Sequence, residues 1–167
     1  MSLSSPLDIL KEAILLERRG QAFYQQVVAG TDHPAVKDFF ATMAEEEQHH
    51  AEILAVQFRA YDQTGEFEPF SPEPNGTTAL ADMVLTPELQ GQIAAAGFEA
   101  AAISAAIMME EKAVDLYSQR AQAAQSNDER CLYQWLVDWE KSHLQFLVQL
   151  DKEIRQDIWN DAGFWPF

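Results

Sequence analysis

The feature that most constrains this chain is an internal repeat of polar residues placed at helical spacing. When the sequence is shifted by 93 positions and compared with itself, these polar residues meet identical residues. The coinciding pairs are Glu17 with Glu110, Tyr24 with Tyr117, Glu47 with Glu140, and His50 with His143. Each half therefore reads Glu, six residues, Tyr and later Glu-x-x-His, with 30 positions between its two glutamates. The repeat indicates a structure with two matching halves.

Four long segments carry apolar residues at the spacing of an amphipathic helix. The polar repeat falls on the same stripes, which run through 10–28, 36–61, 103–121 and 133–154. Ser5 with Pro6 predicts the start of the first helix, and Asp32 is the expected cap of the second. Ser126 and Glu129 have the spacing of a capping box before the fourth. No segment alternates as a strand would.

The connections between these segments predict an all-α four-helix bundle. Short turns join the first helix to the second and the third to the fourth, so each pair should form an antiparallel hairpin. A connection over 63–97 is long enough to travel the length of the bundle before the third helix begins. We expect one domain over 1–167, with an aromatic C-terminal tail at 159–167 that packs on the bundle end or on a second subunit of a homodimer.

The four repeated glutamates are expected to lie at one height in this bundle. If the hairpins turn near residues 31 and 126, Glu17 lies 14 positions before its turn and Glu47 lies 16 after it; Glu110 lies 16 before and Glu140 lies 14 after. At about 1.5 Å per residue, all four carboxylates can meet in one layer. His50 and His143 join the layer because positions i and i+3 share a helix face.

Such a layer needs positive charge, because a buried ionised carboxylate costs several kcal/mol and like charges repel. The nearest basic residues are one or two positions from a candidate ligand and should point away from it: Arg18, Arg19, Lys112 and Lys141. Two divalent cations would balance four carboxylates, with two neutral imidazoles completing the ligand set. The alternative is that these groups face solvent or share protons in a polar core.

The repeat also selects among the crowded residues of "EEEQHHAEIL" at 45–54. Glu46 and His49 form a second Glu-x-x-His pair, but their counterparts in the other half are Trp139 and Ser142, so neither is chosen as a ligand. Glu45 is expected to face solvent, and His49 to be exposed or to support a ligand. His33, at a helix start, is expected at the surface.

Composition excludes several classes of function. The net charge of −16, from 27 acidic and 11 basic residues, opposes binding to nucleic acid and to anionic membranes. The single cysteine, Cys131, forms no disulfide within the chain and no tetracysteine metal site. With no signal peptide and no apolar stretch near the ~20 residues of a membrane span, the sequence predicts a cytoplasmic protein.

The quoted segments resemble the ferritin-like superfamily, and within it the rubrerythrin branch. "LLERRGQAFY" with "EEEQHHAEIL" is similar to the first half of that family, and "MMEEKAVDLY" with "WEKSHLQFL" to the second. The resemblance covers the chain from Leu7 to about Ile158. It implies a non-haem site of two iron ions, with manganese or a mixed iron–manganese pair as the alternative.

The resemblance further implies a role for each repeated residue. Glu47 and Glu140 would bridge the metals, Glu17 and Glu110 would be terminal ligands, and His50 and His143 would each bind one metal. Tyr24 and Tyr117 match tyrosines that hydrogen-bond the ligating carboxylates in the family; as ordinary core aromatics they would need no such role.

Two departures from the family bear on activity. Rubrerythrins proper carry a rubredoxin-like domain with two cysteine pairs, so electrons here are expected from a separate donor protein. They also place an extra glutamate one turn before the third-helix ligand, where this chain has Ile107. We therefore expect oxidation of Fe(II) by, or reduction of, dioxygen or hydrogen peroxide, or else an iron-handling module without rapid turnover. A third alternative is an interaction domain with a structural metal.

Overall fold

The computed structural model describes residues 5–71, 89 and 97–160, with the backbone alone for 157–160. In these ranges the chain forms four helices and no strand. They are α1 at Pro6–Gly30, α2 at Pro34–Thr64, α3 at Phe98–Ala123 and α4 at Asn127–Asn160. Helix α1 packs along α2, and α3 packs along α4. The predicted all-α bundle of two antiparallel hairpins is confirmed.

Most of the predicted connection at 63–97 lies outside the described residues. Its first part is visible: α2 ends at Thr64, and Gly65 takes a left-handed conformation with φ of 75°, which glycine adopts without steric cost. The predicted tail at 159–167 begins inside α4, which extends to Asn160, and residues 161–167 are not described. No helix in the described part of the chain is long and apolar enough to cross a bilayer.

The predicted helix starts are correct for α1 and α4 and wrong for α2. Ser5 Oγ accepts from Asp8 N at 3.2 Å, and Ser126 Oγ accepts from Glu129 N at 3.1 Å. Asp32 does not cap α2, whose N-cap position is His33 with no side-chain capping bond. The turn is organised by Thr31, whose hydroxyl accepts from His33 N at 3.3 Å, while Pro34 starts the helix with its backbone already restrained.

Two apolar clusters fill the bundle, one towards each end. The first contains Phe40, Met43, Ile103 and Leu147 among others, and the second contains Leu10, Leu54, Leu132 and Leu136. On every helix the candidate ligand positions come between a residue of one cluster and a residue of the other. A fully buried leucine or phenylalanine contributes about 1.5–3 kcal/mol, so these clusters can offset a polar layer between them.

Candidate metal centre

The six repeated glutamates and histidines lie together in the layer between the two apolar clusters. None of the six residues is more than 4% exposed. The backbone explains the arrangement, since each helix places one glutamate of the repeat in the layer and α2 and α4 each add a histidine three residues later. The layer consists of Glu17, Glu47, His50, Glu110, Glu140 and His143.

Donor atoms of the layer fall into two overlapping groups, each compact enough to hold one metal ion. The first group is Glu17, Glu47, His50 and Glu140, and the second is Glu47, Glu110, Glu140 and His143. Within a group, one donor atom from each residue lies within 4.8 Å of the others. Glu47 and Glu140 belong to both groups, as carboxylates shared by two cations would.

Both histidines direct Nδ1 at the carboxylates. His50 Nδ1 lies 3.0 Å from Glu140 Oε1 and 3.5 Å from Glu17 Oε2. His143 Nδ1 lies 3.3 Å from Glu140 Oε2 and 3.5 Å from Glu47 Oε1. The two oxygens of Glu140 therefore face different histidines, and the imidazole rings lie 5.8 Å apart.

Each repeated tyrosine crosses the bundle to the first repeated glutamate of the other half. The Tyr24 hydroxyl donates to Glu110 Oε1, and the Tyr117 hydroxyl donates to Glu17 Oε1. Both tyrosines are fully buried, one in each apolar cluster. The hydrogen bonds link α1 to α3 and leave the second oxygen of each carboxylate directed at a histidine.

Without a bound cation, Glu47, Glu110 and both imidazoles of the layer are shifted towards their protonated forms, because only protons can then balance the buried negative charge. Burial, reinforced by Glu140, raises the pKa of Glu47 well above its usual value and that of Glu110 to about 8. Burial opposes a charged His50, but Glu140 outweighs it and raises the pKa of this imidazole to about 9. Glu140 is also buried, yet His50 and His143 hold its pKa well below the usual range.

The donor set fits two divalent cations. Within the described structure, Glu47 Oε1, both oxygens of Glu140 and Nδ1 of both histidines make no well-aligned hydrogen bond, and their contacts with one another at 3.0–3.5 Å pair opposite charges only when the imidazoles are protonated. A buried polar atom without a good hydrogen bond costs about 1–3 kcal/mol, so five such atoms converging on one layer are better satisfied by cations than in a purely structural core. Mixed carboxylate and imidazole ligation suits iron or manganese.

The structure adds Glu46, which the repeat argument passed over as a ligand. The residue is 7% exposed, and Oε2 lies 2.5 Å from Nε2 of His143, on the ring side opposite the layer. The indole N–H of Trp139 donates to the same oxygen at 3.2 Å. Spacing could have suggested burial, since Glu46 continues the inward stripe three residues after Met43 and four before His50. The contact partner could not be read from sequence.

The other expected positions follow the helix faces. Glu45, His49 and His33 are exposed, and so are the four basic residues next to the ligands, Arg18, Arg19, Lys112 and Lys141. No basic side chain thus enters the layer from these positions. Ile107, where an extra glutamate would lie, is partly buried against the first apolar cluster.

Gly20 gives the layer room on α1. A Cβ at this position would lie 3.2 Å from Glu47 Oε2, closer than most Cβ contacts. The equivalent position in the other half is Ala113, which is buried. The two halves therefore differ in the residue at this position, which is glycine beside Glu47 in the first half and alanine in the second.

Comparison with known proteins agrees with this geometry. The sequence model of the rubrerythrin family matches residues 8–151, which is most of the chain. No curated protein and no solved structure gives a significant match.

Proposed function

Since the chain belongs to the rubrerythrin family, we propose that it is a non-haem dinuclear iron protein that oxidises Fe(II) or reduces dioxygen or hydrogen peroxide. The observation that carries the proposal is the buried layer of two overlapping donor groups, which share Glu47 and Glu140. Manganese or a mixed pair would suit the same ligands.

In this proposal the protein binds and positions the metals. Glu47 and Glu140 would be shared by the two sites, Glu17 and Glu110 would each serve one site, and the histidine of each half would supply Nδ1. When bound, two iron ions supply one electron each to an oxidant. The protein keeps water away with apolar clusters above and below the layer.

The tyrosine hydroxyls hold the terminal carboxylates in place. Because Tyr24 and Tyr117 each occupy one oxygen of a terminal glutamate, the other oxygen is left to bind a metal. The pKa of both phenols is raised well above its usual value by burial and by nearby carboxylates, so both remain protonated donors. A hydrogen bond of this kind orients a ligand without adding charge.

The direct test is anaerobic loading with Fe(II) followed by addition of peroxide or dioxygen. We expect about two metal ions per chain and oxidation, followed optically, that is faster than in buffer. A protein that binds two iron ions and oxidises them no faster than buffer would contradict the redox part of the proposal.

The variant Tyr24→Phe tests whether the tyrosine hydroxyls hold the carboxylates in place. Arg18→Ala, an exposed change on the same helix, is its control.

A second candidate is an iron-handling module without rapid turnover. It is supported by Ile107, whose apolar side chain packs against a cluster where the family's peroxidases have a further carboxylate. Stoichiometric, reversible uptake with slow oxidation would favour it. In the redox function, electrons would come from a separate donor protein. We expect the protein to be a cytoplasmic homodimer. Measuring its molecular mass after deletion of the residues from Asn160 onward tests whether the C-terminal tail holds the dimer together.

A further inference from the structure

The two halves of the metal layer supply the same ligands but support their histidines differently. Nε2 of His143 lies 2.5 Å from the Glu46 carboxylate. Nε2 of His50 is buried and makes no hydrogen bond within the described part of the chain. Its ring is packed instead against the edges and faces of Trp135 and Trp139, at centroid distances of 5.5 and 5.3 Å.

This difference comes from one pair of positions in the repeat. Glu46 and Trp139 are separated by 93 residues, so they are counterparts, and they touch each other. Two glutamates at these facing positions would place like charges together in a buried site, which is costly. A glutamate facing a tryptophan is instead a hydrogen-bonded pair, but it leaves only one carboxylate to support a histidine.

The hydrogen-bond pattern also orients the His143 ring. An ionised carboxylate only accepts hydrogen bonds, and Glu46 Oε2 accepts from Trp139 N–H. With Glu46 ionised, Nε2 of His143 donates to the same oxygen, and when a cation is bound, Nδ1, on the ring side that faces Glu47 and Glu140, would be the atom that binds it. Histidines oriented in this way are better metal ligands, and loss of the supporting carboxylate typically lowers metal affinity about 10–100-fold.

We propose that Glu46 is a positioning residue that makes the two metal sites unequal, so that the site containing His143 binds a divalent cation more tightly and fills first. The inference rests on the proposed dinuclear site and adds the order in which its two metal positions fill. Trp139 contacts both sides of this arrangement: its indole N–H donates to Glu46, and its ring packs on His50.

The test measures metal binding rather than turnover, with Co(II) added under anaerobic conditions and followed by visible absorption. We expect two binding steps in the unaltered protein. Glu46→Ala should weaken the tighter step about 10–100-fold and leave the weaker one nearly unchanged, and Glu46→Gln, which keeps the size and an acceptor, should have a smaller effect. Glu45→Gln, an exposed neighbour on α2, is the matched control and should change neither step.

A second measurement does not depend on the order of filling. In protein loaded with Zn(II), which is diamagnetic, the His143 ring should show a protonated Nε2 in nitrogen-correlated spectra, with a slowly exchanging proton that disappears in Glu46→Ala. This readout also detects a variant that folds poorly, because the signals of the other histidines would then shift as well.

The outcomes separate this inference from the proposed function. Two equal binding steps in the unaltered protein, or equal weakening of both steps in Glu46→Ala, would overturn the inference while leaving the dinuclear site intact. Failure of the unaltered protein to bind two Co(II) ions would overturn the dinuclear site and the inference together. Retention of the exchange-protected Nε2 proton in Glu46→Ala would show that Glu46 does not hold the ring.

Discussion

The two hairpins carry the same pattern of three candidate ligands, yet they surround it differently. In the α1–α2 hairpin, Gly20 lets the helix backbone approach Glu47 closely, and Glu46 reaches across to the histidine of the other hairpin. In the α3–α4 hairpin, the corresponding residues are Ala113 and Trp139. The comparison shows that the Glu and His residues of the layer, and the tyrosines that hydrogen-bond to them, are repeated, whereas Glu46 and Trp139 differ because only one of two facing positions can carry the buried charge.

The largest loss of metal affinity is expected from a change at Glu140, which both donor groups share. Glu140 presents one oxygen to each histidine and belongs to both donor groups. Glu140→Ala should therefore lower the affinity for both metals by more than about 100-fold, beyond the usual effect of removing a supporting residue. Elemental analysis after equilibration with Fe(II) measures this, and Asp138→Ala, an exposed change on the same helix, is its control. Retention of one tightly bound ion per chain would contradict the shared role.

The next largest effect should distinguish the two donor groups, because each can be disabled by a change at a residue that the other does not use. Glu17 belongs only to the group with His50, and Glu110 only to the group with His143. Glu17→Ala and Glu110→Ala should each reduce bound metal from two ions per chain to one, because the remaining group keeps its own donors. Elemental analysis of both variants in parallel is the measurement. If either variant lost both ions, the two sites would not be separable in the way the geometry indicates.

A pH dependence should appear in protein stripped of metal by a chelator. The pKa of Glu110 rises from 4.5 to about 8 and that of His50 from 6.5 to about 9 on folding. Between pH 6.5 and 8 the folded chain therefore keeps protons that the unfolded chain has lost, so the free energy of unfolding should fall as pH rises.

Chemical denaturation across this pH range measures the trend. Glu110→Gln carries no titrating proton at that position, so its free energy of unfolding should fall less steeply with pH. A free energy of unfolding that rose from pH 6.5 to 8 in the unaltered, metal-free protein would contradict the assignment.

The smallest effect concerns Gly20 and its counterpart. Gly20→Ala should stabilise the metal-free protein by up to about 1 kcal/mol through helix propensity, but displace Glu47 Oε2 and weaken metal binding by up to about tenfold. Ala113→Gly should cost about 1 kcal/mol of stability with metal affinity unchanged. Thermal unfolding and Co(II) titration of the two variants together check this. Unaltered Co(II) affinity in Gly20→Ala would show that the Glu47 carboxylate can move aside without weakening metal binding.

Much of the fold follows from local pattern. Stripes such as the one through Leu10, Tyr24 and Val28 specify amphipathic helices, and short turns specify hairpins, because neighbouring helices with little chain between them must pack antiparallel. The capping residues Ser5 and Ser126 act on their own helix starts and were predicted correctly. Asp32 was predicted wrongly because the turn there depends on Thr31, whose hydroxyl also donates to Glu99 of α3 at 2.8 Å.

The convergence of the six candidate ligands was also accessible from sequence. Helical rise sets the height of Glu17 and Glu47 within a hairpin, and the repeat selects Glu47 over Glu46 without any coordinates.

The sequence by itself determined that the six candidate ligands meet, because helical periodicity and chain length fix the face and height of each residue in a bundle. Only the tertiary structure decided what stands behind those side chains. The contact of Glu46 with His143 and Trp139 depends on how α2 is rotated against α4, and the close approach at Gly20 depends on the separation of α1 and α2. Rotation and separation result from packing across the whole core, which no single stretch of sequence encodes.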